Sequence, residues 1–403
     1  MTADLATVDL ADPQTFLDAD LHELFGRLRA ESPVHWNEPR DDRPGFWAIT
    51  RHADCVTAYK DNERLTSERG NVLSTLLQGN DSASGKMLAV TDGERHRAVR
   101  KLMLKSLSPR LLGAVAEQVR ARTFGLVRDA IARGECDFAT DVADHIPINT
   151  IGDLMDVPAA DRPRLVEWNN RTLSRISSED SEMDEWLARN EILLYFTDLA
   201  DQRRRKPGDD VLSALANGLV DGQPLAEDEV VFNSYSLILG ADESSRMSSI
   251  GAIIALAQHP EQWRRLKSGE VGVETATEEV LRWTTPAMHF GRRAVADVEL
   301  GGRTIRDGDV VTMWNTSANL DEEVFADPTR FDLARTPNRH IAFGFGPHFC
   351  LGAFLGRAHV GSVLEALRDE VAEIRVPGPG TRLYSNFVHG YSSLPVELVP
   401  EPR

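Results

Sequence analysis

Of the three cysteines, at 55, 136 and 350, one sits among residues arranged for chemistry: Cys350 in FGFGPHFCLG. Glycines at 344, 346 and 352 permit sharp turns and close backbone approach around it. A helical pattern starts just after the cysteine, which places the sulfur where backbone N–H groups and the positive end of a helix dipole keep it ionised. A lone thiolate ringed by donors suits a single axial metal ligand, and haem iron is the cofactor for which one protein sulfur suffices. Spacing alone leaves three other readings open. The cysteine could be a core residue, or the glycines could cradle a phosphate, although no Lys-Ser or Lys-Thr follows them. It could also be a nucleophile with His348 as its base.

A second chemical set lies in residues 228–258, a helical stretch closed by His259-Pro260. At ~1.5 Å per residue it spans roughly 45 Å. Asp242, Glu243, Ser244 and Ser245 interrupt an otherwise apolar run. Burying such groups without a purpose is costly, so they line a cavity or, on the plainer reading, form the wet face of a partly exposed helix. Glu279 and Arg282, three apart, can pair on one helix face, a spacing many surface helices share. His96 and Arg100, four apart, share a face in the same way. A buried haem needs such cations, because its two propionates must be neutralised.

The elements that must position these groups have two textures. Residues 94–283 read as helical bulk, with apolar residues three and four apart and few interior prolines. Residues 32–51, 284–316 and 376–403 carry alternating, β-branched and turn-rich stretches that read as short strands and hairpins. No linker separates them and no repeat appears, so residues 1–403 are expected to form one mainly α domain with small β-sheets at its margin. Few scattered cysteines argue against a disulfide framework and fit a reducing cytoplasm. The start of the chain lacks a signal pattern, and no run of about 18 apolar residues suggests a membrane anchor. A net charge of −18 argues against nucleic acid as a partner. Within that acidic background Arg95, Arg97, Arg100, Lys101, Lys105 and Arg110 form a basic cluster, either a solvated helix face or a dock for an acidic protein.

The cysteine segment, with Phe343, Gly344, Gly346, His348, Cys350 and Gly352, resembles the cysteine loop of the cytochrome P450 superfamily, soluble bacterial type. Glu279-Val280-Leu281-Arg282 and Gly240-Ala241-Asp242-Glu243-Ser244-Ser245 resemble two further signatures of that family, and the likeness runs from Asp54 to the closing GYSSLPVEL. It implies the P450 fold, built around haem b with Cys350 as its axial thiolate. It also implies propionate contacts from His96, Arg100, Arg292 and His340, with His348 a further candidate. Ala241, Phe343, Gly344 and Gly352 are expected to shape the haem pocket. Glu279 and Arg282 are expected to join Arg335, with Arg330 as second choice, in a network that braces the haem-side core.

The same resemblance implies oxygen-dependent oxidation of a small molecule, with Glu243 as the proton source and the Ser244 hydroxyl acting on the activated oxygen. The expected activity is monooxygenation in secondary metabolism, such as antibiotic biosynthesis. Oxidative coupling or ring formation is the alternative. The substrate pocket is expected to draw on the 68–90 loop, parts of 168–190, the first half of the long helix, 286–291 and the turn near 386–391. These include Met87, Leu88, Leu237, Met288, His289, Phe290, Phe387 and His389. Ferredoxin and ferredoxin reductase are the implied electron donors, and the enzyme is expected to be a monomer. Two positions depart from the family pattern: Ser244 stands where threonine is usual, and Leu320 where arginine is usual.

Overall fold

The structure, a computed structural model, describes residues 5–40, 43–79, 81–172 and 179–402. Eight helices carry most of the mass: α1 (Gly93–Ser106), α2 (Pro109–Arg133), α3 (His145–Leu154), α4 (Arg162–Thr172), α5 (Glu179–Arg205), α6 (Glu227–Gln258), α7 (Val273–Thr284) and α8 (Ala353–Glu370). The long helix expected over 228–258 is α6. Its first turn holds Glu227, Asp228 and Glu229, which complement the helix dipole, and the Glu229 carboxylate accepts the Ala226 N–H at 2.9 Å. It stops before His259-Pro260, where Pro260 opens the next short helix.

A five-stranded sheet forms the margin, from β1 (Val34–Asn37), β2 (Phe46–Ile49), β3 (Leu65–Thr66), β4 (His289–Ala294) and β5 (Val310–Trp314). Its order is β1-β2-β5-β4-β3, with β2 and β5 parallel and the other neighbours antiparallel. Period-two alternation along β4 sends Phe290 and Arg292 to one face and His289 and Arg293 to the other. A separate sheet joins Glu135–Asp137, Val371–Arg375 and Pro395–Pro400. Between its strands the hairpin around residue 387 is tied to the chain before β4 by Met288 N–H to Phe387 O, 2.9 Å, and His389 N–H to Pro286 O, 2.8 Å.

The main apolar core runs through α2, α3, α6, α7 and α8, while Phe16, Phe25 and Trp314 centre a second one beside the sheet. The helical bulk expected over 94–283 is interrupted by the strand at 135–137, a π-helical turn at Ala139–Ala143 and a small hairpin at 219–224. Among the described residues no helix is long and apolar enough to cross a membrane. Leu320 is buried, 4% exposed, and nothing in the structure explains why leucine stands there.

Candidate active site

Gly344 and Gly346 adopt φ of +69° and +71°, the left-handed region, and turn the chain back so that Cys350 N–H reaches Phe343 O at 2.9 Å. At Gly346 a Cβ would come within 2.7 Å of Tyr59 O, so the loop lies against the backbone of the helix His52–Lys60. Burial pushes the Cys350 thiol up from its ordinary value, further than Gly352 N–H, Arg100 and Arg357 pull it down. A bound metal cation would favour the thiolate further.

A cavity of about 470 Å³ separates the cysteine loop from the centre of α6. Cys350, Leu351, Leu355 and Gly356 line one side, and Gly240, Ala241, Ser244 and Ser248 the other. Phe343, Gly344 and Gly352 also border it. Gly240 has open space where a Cβ would stand, so nothing on this part of α6 fills the gap.

One edge of the cavity is cationic. Arg292 is buried, 3% exposed, and donates to Gly291 O at 2.7 Å, while Arg100 donates to Phe349 O at 2.6 Å. Among the described residues neither guanidinium is in a salt bridge. His96 is buried and its Nε2 has no protein partner; burial, with His348 and Arg100 nearby, pushes its pKa down to about 4. The His96 and His348 rings lie 4.2 Å apart, and His348 Nε2 is 2.8 Å from Asp92 Oδ1.

Asp92 is a site residue that the sequence did not announce. It occupies the N-cap position of α1, yet its side chain caps nothing there. Its carboxylate instead accepts from Thr66 Oγ1 at 2.7 Å, Ser67 N at 2.7 Å and Ser67 Oγ at 3.0 Å, in addition to facing His348. Burial would raise this carboxyl, but those bonds hold it well below the usual range.

His340 is not part of this edge. Its Nε2 lies 3.1 Å from Glu278 Oε2 and its Nδ1 accepts Ala342 N–H at 3.3 Å, so both ring nitrogens are occupied by the protein. The expected propionate contact from His340 is corrected accordingly. Against burial, His340 and Arg357 hold the Glu278 carboxyl down at about 2.

Glu279, Arg282 and Arg335 come together as a closed network. Arg282 Nε and Nη2 each donate to the Glu279 carboxylate at 2.8 Å, and Arg335 Nε reaches it at 3.1 Å. Asn338 Nδ2 at 3.1 Å and Asp332 N at 2.9 Å complete the set. Arg330 contributes only its carbonyl, which accepts from Arg335 and Arg282. Burial of such a charged group is tolerable only with this degree of pairing.

In α6 the Ser244 hydroxyl makes a 3.2 Å bond to Gly240 O, one turn back, with Glu243 beside it on the cavity lining. Asp242, the preceding residue, is buried and accepts from Asn169 Nδ2 of α4 at 2.7 Å. Burial raises its pKa to about 6, opposed by Arg246 and Asn169. Arg246 itself pairs with Asp144 at 2.6 Å.

Of the expected pocket residues, Met87, Leu88, Leu237, Phe290 and Phe387 line the cavity. Three do not, and these are corrections. Met288 packs in the core around Trp314. His289 faces away from Phe290 and stacks 4.5 Å from the Trp314 ring, its pKa lowered to about 3 by burial. His389 lies beside Arg382, 3.4 Å from its Nη2, and burial with that cation lowers it to about 4. Within 168–190, Asn169 lines the cavity, and residues 173–178 lie outside the described residues.

A sequence model of the cytochrome P450 family matches residues 273–367. Over almost the whole length the chain is 47% identical to cytochrome P450 NovI of Streptomyces niveus, across 396 residues that cover 98% of this chain and 97% of that protein. The chain belongs to the cytochrome P450 family. It is also 32% identical to linalool 8-monooxygenase of Pseudomonas putida, covering 98% and 99% of the two chains. Among solved structures it resembles P450 OxyD, a protein involved in the biosynthesis of vancomycin-type antibiotics. The TM-score is 0.89 at 34% identity, over 98% of this chain and 100% of that one. The fold is therefore the P450 fold.

The residues of this P450 fit a haem. Cys350 presents one partly exposed sulfur on the cavity floor, and the edge formed by Arg292, Arg100 and His96 offers cations and an unpartnered imidazole nitrogen to two carboxylates. Phe343, packed 3.1 Å from where a Gly356 Cβ would stand, closes the floor.

Proposed function

We propose that this P450 is a haem-thiolate monooxygenase that inserts one atom of dioxygen, by hydroxylation or epoxidation, into a small organic substrate of secondary metabolism. The observation that carries the reading is the acid–alcohol pair Glu243 and Ser244 on the α6 face opposite Cys350. The names of the monooxygenase relative and of the antibiotic-pathway neighbour support it. Haem, when bound, would supply the iron chemistry that activates dioxygen, which is the oxidant, with two electrons coming from the donor.

The chain's own groups do the rest. Cys350 Sγ would hold the iron, and Arg292, Arg100 and His96 would take the haem carboxylates. Glu243 would relay protons inward, and Ser244 Oγ would hold a proton at the cavity surface. Its back-bond to Gly240 O keeps the hydroxyl near the gap beside Gly240 and Ala241. Met87, Leu88, Leu237, Phe290 and Phe387 give the substrate an apolar wall and exclude water.

Electrons are proposed to come from a ferredoxin and its reductase in the cytoplasm, to a monomeric enzyme. Lys101, Lys105, Arg97 and Arg110 are exposed on and beside α1, whose Arg100 touches the cysteine loop. Arg95 is not free for docking, since it is tied to Glu229, and Arg100 turns to the cysteine loop and the cavity.

The test begins with the reduced protein under carbon monoxide, where a thiolate-ligated haem gives a strongly red-shifted complex. Candidate metabolites are then screened for spin-state shifts, and hits are turned over under labelled dioxygen. Label in the product is the expected result. Turnover to an unlabelled, coupled or cyclised product would replace this reading with the coupling alternative.

A further inference from the structure

One wall of the cavity is the short stretch Met87, Leu88 and Ala89, which belongs to no sheet and makes only a single 3-10 turn, Leu88–Val90. Its own bonds account for part of its backbone: Met87 N–H reaches Ala83 O at 3.0 Å, and Met87 O accepts Val90 N–H at 3.0 Å and Thr91 Oγ1 at 2.8 Å. Leu88 N–H and Lys86 C=O turn instead to one side chain of α6. Asn233 Oδ1 accepts Leu88 N–H at 2.9 Å, and Asn233 Nδ2 donates to Lys86 O at 2.9 Å and to Glu229 O at 2.8 Å.

Asn233 is fully buried, and these three bonds fix its amide one way round. Exchanging oxygen and nitrogen would set Oδ1 against two carbonyls and Nδ2 against an N–H. The side chain thus pairs with the wall as a strand would, through one donor and one acceptor of neighbouring residues. Four residues on along the same helix face, Leu237 lines the cavity. The ends of the segment have outer ties, Lys86 to Asp228 at 3.0 Å and Arg95 to Glu229, but these hold its flanks and not the stretch that faces the cavity.

We propose that Asn233 is a positioning residue that sets the Met87–Ala89 wall and, through it, the size and shape of molecule the cavity admits. The proposal rests on the reading of this cavity as the substrate site. Replacing Asn233 by Leu leaves Leu88 N–H buried without a partner and releases Lys86 C=O, which frees the wall. Asn233→Asp keeps the acceptor for Leu88 N–H but sets a carboxylate against the Lys86 and Glu229 carbonyls.

The experiment compares the haem-loaded parent with Asn233→Leu and Asn233→Asp. Amide exchange across residues 86–90 should quicken by about tenfold or more, with α8 unchanged. Binding of clotrimazole, an azole large enough to reach the wall, should weaken by about fivefold or more, while imidazole itself changes by less than about twofold. Asn233→Asp, which keeps the acceptor for Leu88 N–H but loses the donor to Lys86 O, should show both effects as well, and it decides the matter if the Leu variant does not fold. Unchanged exchange at 86–90 overturns the clamp. Faster exchange with both azoles weakened equally, or neither weakened, overturns its role in selection. A parent without the red-shifted carbon monoxide complex would sink the haem reading, and the exchange measurement would still decide the clamp.

Discussion

Glu279, on α7, and Ser244, on the cavity-lining face of α6, are held very differently. The Glu279 carboxylate is fully buried and receives Arg282, Arg335, Asn338 and the Asp332 N–H, with little capacity left over. Ser244 has one 3.2 Å bond to its own preceding turn and faces open space, and its neighbour Asp242 carries a carboxyl that burial disfavours in its charged form. The Glu279 side is a saturated scaffold, its central carboxylate taken up entirely by groups of the chain. The α6 side keeps polar groups in places that cost stability, as expected where chemistry and substrate fit govern the choice of residue.

That contrast breaks most decisively at Glu279. Glu279→Gln leaves Arg282 and part of Arg335 buried without their counter-charge, and should lower stability by about 3–5 kcal/mol, read as a fall in Tm with loss of bound haem. A variant with parental Tm would show that the scaffold is not held there.

The opposite sign is expected at Asp242. Its raised pKa of about 6 means that the folded state binds its proton more tightly than the unfolded state. Stability from this group is therefore full below about 4 and is lost as pH rises through about 6. Asp242→Asn should raise stability at pH 7 by on the order of 1–3 kcal/mol, with the gain vanishing toward pH 4. A constant difference between the two proteins across that window would remove the titration from the account.

Lys101→Glu with Lys105→Glu acts outside the cavity. The apparent ferredoxin KM should rise by about tenfold at low salt and converge on the parent at high salt. No change at low salt would move electron entry elsewhere. The smallest effect is expected at Ser244, where removing the hydroxyl in Ser244→Ala should cut product per electron by about two- to tenfold. Product yield equal to the parent's would show that this hydroxyl does not direct protons.

Much of this was legible in the residues. The helix over 228–258, the strands near 34–49 and 289–314, and the pairing of Glu279 with Arg282 all follow from local periodicity, which a chain carries in its own order. The cysteine loop was legible too, because its glycines specify a backbone that few other residues can adopt.

Contacts between distant segments were not. Asp92 looks like an N-cap from its position, and only the packing of Thr66, Ser67 and His348 around it gives its carboxylate another use. His340 and His348 look equivalent before the cysteine, yet Glu278 takes the first and Asp92 the second. His289 and Phe290 are adjacent in the chain, and the pleat of β4, set by its register with β5, sends one to the core and the other to the cavity.

The sequence by itself determined the fold class, the cysteine turn and the long helix α6, because backbone propensity and side-chain period are properties of short stretches. Tertiary structure alone decided which cations face the cavity, which histidines are buried away from it, and that Asn233 holds Leu88, 145 residues away in the chain. Those outcomes depend on which groups from remote segments arrive together and on burial, and neither is written in any one segment.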